Sequence, residues 1–160
     1  MGSTNTALGR RRIVVGVDGS KASIEALQWA RVMGTAFDAE LDAVLAWEYP
    51  ASYGISGWLG EWDPSADAAS MLEHTLQLAF GDDRPAGITT TVTEGHPANV
   101  LVDASGGAEL LVVGSRGHGG FVGLLIGATS AHVAEHARCT VLVTHDSPDV
   151  FSTADASVVR

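Results

Sequence analysis

Apolar and polar positions along this chain switch repeatedly between a strand period and a helix period. Residues 12–17, RIVVGV, form a short β-branched run that breaks at Asp18, Gly19 and Ser20, whose turn and cap chemistry predicts a buried strand feeding a helix. With Ser20 as N-cap, Ala26, Leu27, Ala30, Met33 and Gly34 follow the spacing of one helix face. A second strand is predicted over 41–47, LDAVLAW. A further stripe at Ala69, Leu72, Leu76, Ala79 and Phe80 predicts a helix that Pro64 and Ser65 open and Gly81 closes.

Residues 88–93, ITTTVT, alternate apolar and threonine positions, the pattern of a half-exposed strand near a sheet edge. A short helix from Pro97 to about Ser105 leads to 109–114, ELLVVG, a strand apolar almost throughout. After a glycine-rich loop come a helix with Ser130, Val133, Ala134 and Ala137 on one face and a last strand, CTVLVTH, at 139–145. Strands alternating with helices at this spacing call for βαβ units and a parallel sheet covered on both faces. The pattern occurs once, so one unit over 10–146 is expected, with 1–9 and 147–160 as disordered tails.

Charge and composition narrow the function classes. Acidic residues number 19 against 9 basic ones, a net charge of -10, and the only basic cluster is Arg10, Arg11 and Arg12. A nucleic-acid surface is not expected. No apolar run approaches the roughly 20 residues that span a membrane, and the first thirty positions hold no signal-peptide core, so no membrane partner is expected either. The opening MGSTNT matches a myristoylation pattern, but nothing nearby reinforces it. Cys139 is the single cysteine and sits in an apolar run, which reads as a buried thiol in a reducing, cytoplasmic setting.

Between Gly114 and Ser130 the chain spends six of seventeen positions on glycine and then enters a helix. Ligands of open parallel sheets collect beyond the carboxyl ends of the strands, where the topology switches direction. Two such ends carry suitable chemistry: Asp18 after the first strand and Gly114 after the fourth. Glycines at 114, 117, 119, 120 and 123 let main-chain N–H groups approach an anion, and the helix starting near Ala128 adds unpaired N–H groups and a partial positive charge. Together they suggest a phosphate seat. The Walker pattern fails for want of a lysine, the dinucleotide fingerprint fails at Val122, and Ser115 directly follows Gly114, so no hydrolase elbow is present.

The arrangement Gly114-x-x-Gly117-x9-Gly127 with a hydroxyl residue two positions on, VVGVDGS at the start, EGHPANVLVDA, ELLVVGSRGHGG, and GATSAHVAEHARCTVLVTH together resemble the universal stress protein family over about 12–144. The resemblance implies an open five-stranded parallel sheet in order 3-2-1-4-5 with helices on both faces, of the adenine nucleotide alpha hydrolase-like kind. It also implies a homodimer through the last strand and binding of an adenine nucleotide: ATP with accompanying Mg2+, or AMP or cyclic AMP. Carried over by position, Val17, Asp18, Gly19 and Ser20 would meet adenine or ribose, and the backbone of Ala46 and Trp47 would read the base edge. Val113, Gly114, Arg116 and Gly117 would admit ribose and phosphates. Gly127, Ala128, Thr129 and Ser130 would hold the phosphate chain. Ala128 departs from the family pattern, which has Ser or Thr there; losing a hydroxyl donor to a charged group is worth about 1.5–3 kcal/mol and shifts the expected preference toward AMP or cyclic AMP.

Other constellations read more plainly. His132 and His136 stand one helical turn apart, but Val133 replaces the glutamate of H-E-x-x-H, and a solvated helix face is expected. The long segment 48–64, with Trp58 and Trp62, is expected to act as a flap or partner surface, or to cover the core's edge. No nucleophile and base pair or carboxylate dyad is legible, so the chain is not expected to be an enzyme beyond slow ATP hydrolysis or autophosphorylation. The alternative is a dimeric interaction protein of the same fold that does not bind nucleotide.

Overall fold

The computed structural model describes residues 10–50, 62–116 and 126–145. Nine elements follow in strict alternation: β1 Arg11–Gly16, α1 Lys21–Phe37, β2 Ala39–Trp47, α2 Pro64–Phe80, β3 Ile88–Glu94, α3 Pro97–Ala104, β4 Leu110–Gly114, α4 Ala128–His136 and β5 Thr140–Thr144. All pairings are parallel, and the sheet runs β3-β2-β1-β4-β5. The order and the parallel direction match the sequence expectation, and so does β3 at an edge, where its threonines stay half in solvent.

Period-two alternation splits the core in two. Ile13 and Val15 of β1 point to one face, where Leu41, Ala43 and Leu45 join Ala26, Leu27 and Ala30 of α1 and Leu72, Leu76 and Phe80 of α2. Val14 points to the other, with Val44, Leu111 and Val113 under Leu101 of α3 and Val133 of α4. Both faces of the central strands are therefore covered, which is why they read as continuous apolar runs.

Two local expectations need correction. The stripe of α2 is completed by Ala68, buried against the core, whereas Ala69 is exposed. Pro64 opens the helix and Gly81 closes it as expected, and Asp63 ahead of Pro64 is the N-cap, its carboxylate accepting from the N–H groups of Ser65 and Ala66 at 3.0 and 3.2 Å. On α4, Ser130 and Val133 are buried and Ala137 packs beside them, but Ala134 faces solvent. In each case small alanines carried no polarity signal that distinguished one helix face from its neighbour.

A polar staple ties the sheet's second face together. The Arg12 guanidinium donates to Asp42 at 3.0 Å and to the carbonyls of Ala104 and Gly106, closing the end of α3, while Thr91 donates to the same carboxylate at 2.9 Å. Asp42 is only 8% exposed, so these partners replace the water it gives up.

Candidate functional site

The first strand ends in a cap that also builds the site's floor. Gly19 has φ of 80°, a left-handed turn that a side chain would strain, and it returns the chain to start α1. Ser20 accepts from the N–H of Ser23 as N-cap and donates its own hydroxyl to Asp18 at 2.5 Å; the Ser20 N–H donates to the same carboxylate oxygen at 3.0 Å. Asp18 is thus held half-buried at the carboxyl edge, next to the first turn of α1. Val17 is buried, and its N–H donates to the carbonyl of Val44 at 2.9 Å.

That bond has a directional consequence for β2. A strand residue's N–H and C=O point the same way, alternating from one residue to the next, so Val44 faces β1, and Ala46, two residues on, faces the same side. The β1 pairing stops at Gly16 opposite Val44. Ala46 therefore presents its N–H and C=O to the gap that β1 leaves when it turns at Asp18. Trp47 faces the other way, and its carbonyl accepts from the N–H of Gly95 at 2.8 Å. Its ring packs partly against the core and meets Tyr49 edge-on at 5.1 Å.

On the far side of the gap, β4 and α4 are knotted. The Ser115 N–H donates to the Thr144 carbonyl at 2.6 Å, the Gly127 N–H donates to the Ser115 carbonyl, and the Ser130 hydroxyl donates to the Gly114 carbonyl. Thr144, buried, donates its hydroxyl to the Ala22 carbonyl at 3.3 Å. The end of β5, the end of β4 and the starts of α1 and α4 are held as one unit. At the α4 start, the N-cap Gly127 offers no side chain and no side-chain cap bond is made, so the N–H groups of Ala128, Thr129 and Ser130 lack an intrahelical acceptor.

The sequence-predicted residues divide accordingly. Asp18, Gly19, Ser20, Ala46, Gly114, Gly127, Ala128 and Thr129 gather at the carboxyl edge, with Arg116 exposed beside them. Gly117 lies outside the described residues, as does most of the 48–64 segment; Trp62 is described, and its indole donates to Asp67 at 2.7 Å. Val17 and Val113 are buried and offer only main chain. Two residues carry a different explanation from the one the pattern suggested. A Cβ on Gly114 would stand 2.6 Å from the Ala22 Cβ and 2.8 Å from its carbonyl carbon, so close packing against α1 already demands glycine there. Ser130 is 4% exposed and spends its single hydroxyl proton on Gly114, leaving its main-chain N–H as the group that can meet a ligand. The parts played by Thr144, Ser115 and Ala22 were not foreseen; none carries a local signal, because their bonds join segments far apart in sequence.

Among the described residues no three His, Cys, Asp or Glu side chains gather as a metal group, and no helix is long and apolar enough to cross a membrane. What the edge does offer is a polar main-chain slot at Ala46, a fixed carboxylate at Asp18 and an uncapped helix start.

A single parallel sheet in this order with such an edge defines the adenine nucleotide alpha hydrolase-like class of fold. The sequence model of the universal stress protein family matches residues 9–145, and the chain belongs to that family. It is 38% identical over 140 residues to a universal stress protein of Mycobacterium tuberculosis strain H37Rv, a match covering 84% of this chain and 45% of that one. The chain thus spans about half the length of the mycobacterial relatives it matches. A solved universal stress protein in complex with cAMP superposes with a TM-score of 0.66 at 27% identity, covering 86% of this chain and 98% of the other. A family member from Arabidopsis thaliana with AMP bound shares the fold at a TM-score of 0.56 and 19% identity, covering 91% and 99%.

Proposed function

We propose that this chain binds an adenine nucleotide at the carboxyl edge of its sheet and acts in the cytoplasm as a stress-response protein whose partner interactions depend on that ligand. The observation that carries the reading is the pair of main-chain groups of Ala46 facing the gap beyond β1, in a fold whose relative was solved with cAMP. An adenine edge needs one donor and one acceptor at fixed spacing, and Ala46 supplies both. Asp18 then meets the ribose, and the α4 start, with Gly127, Ala128, Thr129 and the Ser130 N–H, takes a phosphate. Gly114 shapes the wall, and Arg116 after β4 and Lys21 at the start of α1 are exposed cations at this edge.

The hydroxyl inventory ranks the ligands. Ala128 offers none and Ser130 has spent its own, which leaves Thr129 as the one hydroxyl of this turn, so a single phosphate on main-chain amides is favoured over a triphosphate. AMP or cyclic AMP is the preferred ligand, and ATP binds with Mg2+ to offset repulsion from a protein of net charge -10. Among the described residues β5 pairs with β4 alone and leaves an edge of Val141, Leu142 and Val143, through which the chain forms a homodimer.

The same two hydroxyl positions favour the second reading, an interaction protein of this fold without tight nucleotide binding. Calorimetric titration with AMP, cyclic AMP and ATP, the last with Mg2+ and with EDTA, tests both. Saturable binding of AMP or cyclic AMP supports the first; heat indistinguishable from dilution for all three overturns it. Equal ATP affinity with and without Mg2+ removes the metal from the account.

A further inference from the structure

We propose that His132 and His136 form a two-imidazole binding site for a divalent transition ion of the copper(II) or nickel(II) class, on the outer face of α4. The site is separate from the nucleotide edge and does not depend on it.

Spacing of four residues puts two helix side chains on one face, and here the rings meet, with centroids 4.4 Å apart and planes inclined by 50°. That distance is informative. With a metal–nitrogen bond of about 2.0–2.1 Å and a ring radius of about 1.1 Å, two imidazoles bound at a right angle have centroids about 4.5 Å apart, whereas a tetrahedral angle opens them to about 5.2 Å. Rings this close can be reached by one ion, and for an imidazole pair completed by water the order of affinities among divalent ions places copper(II) first, above nickel(II) and zinc(II).

His132 is half-buried and its ring meets that of His136; among the described residues it makes no hydrogen bond. The polar neighbour of His136 is the carboxylate of Glu135 at 3.6 Å, longer than a hydrogen bond and on a side chain 76% exposed. Glu135 can swing to give an oxygen to the same ion or leave the position to water. Two imidazoles with water and an optional carboxylate make a surface site of moderate affinity rather than a buried structural cage.

The untagged full chain is titrated with nickel(II) and with copper(II) by calorimetry, with His132→Gln, His136→Gln and, as a control on α2, His74→Gln. One ion per chain with a micromolar dissociation constant is expected, with zinc(II) weaker than either. Loss of an outer-sphere partner alone costs about 10–100-fold, so removal of either ligand should weaken binding at least about tenfold while the control stays at the native value. The visible band of bound copper(II) should move to longer wavelength as a nitrogen is lost. Native affinity retained in His136→Gln, whose side chain is exposed and whose fold is checked by circular dichroism, overturns the site, as does a native chain that shows no saturation at millimolar ion.

Discussion

The hydroxyl of Ser130 donates to the carbonyl of Gly114 across sixteen residues, fastening the start of α4 to the end of β4. A side chain that in sequence looks like a phosphate ligand is, in the fold, the clasp that aims the neighbouring amides. Its removal and the addition of a hydroxyl at position 128 therefore have opposite effects. Ser130→Ala should cost about 1 kcal/mol of stability and weaken AMP binding by loosening the helix start. Ala128→Thr, at an exposed first-turn position, should gain one charge-assisted bond, worth about 1.5–3 kcal/mol or roughly ten- to hundredfold in ATP affinity. Urea unfolding and calorimetry read the two effects; unchanged ATP affinity in Ala128→Thr would show that the phosphates do not reach this helix.

Gly114→Ala should destabilise the fold whether or not ligand is present. The added carbon meets the Ala22 main chain at 2.8 Å, which no rotamer change relieves, so α1 must shift at a cost of about 1–3 kcal/mol. Thermal unfolding of the ligand-free protein measures it, and a native midpoint would mean that glycine is kept at 114 for the ligand's sake.

Arg12→Met should strand the Asp42 carboxylate and two carbonyls at the end of α3. The Arg12 side chain is 36% exposed, so solvent screens part of the pair, and about 1–3 kcal/mol is expected in all. Adding Asp42→Leu to Arg12→Met removes the stranded charge and should recover part of that loss. Chemical denaturation of the two singles and the double closes the cycle; strict additivity would mean that the two side chains do not interact.

Cys139 is half-buried rather than buried as its apolar run suggested, and this partial burial pushes its thiol above the ordinary range, opposed by the Arg12 charge and by a main-chain bond from Leu111. A raised thiol pKa in the fold means that the unfolded chain loses its proton first as pH rises. The contribution to stability is then fully present below the ordinary thiol pKa and is lost as pH climbs through the higher folded value. Alkylation by iodoacetamide should accordingly be slow near neutral pH, with a midpoint above that of a free cysteine. A rate profile matching free cysteine contradicts the burial. Cys139→Ser should flatten the alkaline loss of stability.

How much of this was legible depended on the range of each interaction. The near-continuous apolar runs of β1, β2 and β4 announced a covered parallel sheet, because strands buried on both faces leave few positions for polar side chains. Ser20 and Gly81 announced the limits of their helices through cap chemistry that acts over three or four residues. Asp63 escaped notice at the start of α2, since Pro64 and Ser65 beside it carry the same signal. Gly114 was legible as a residue that must lack a side chain, but not for which neighbour.

Taken alone, the order of residues determined what local physics controls: the element types, the two-faced core, the edge placement of β3 and the glycine-rich end of β4. Only the folded chain decided which way the main chain of Ala46 faces, whose carbonyl takes the Ser130 proton, and that the rings of His132 and His136 meet. Those facts depend on where β1 stops beside β2 and how α4 seats on β4, and such registers are set by packing among segments distant in sequence, as where Ile13 of β1 pairs with Leu110 of β4.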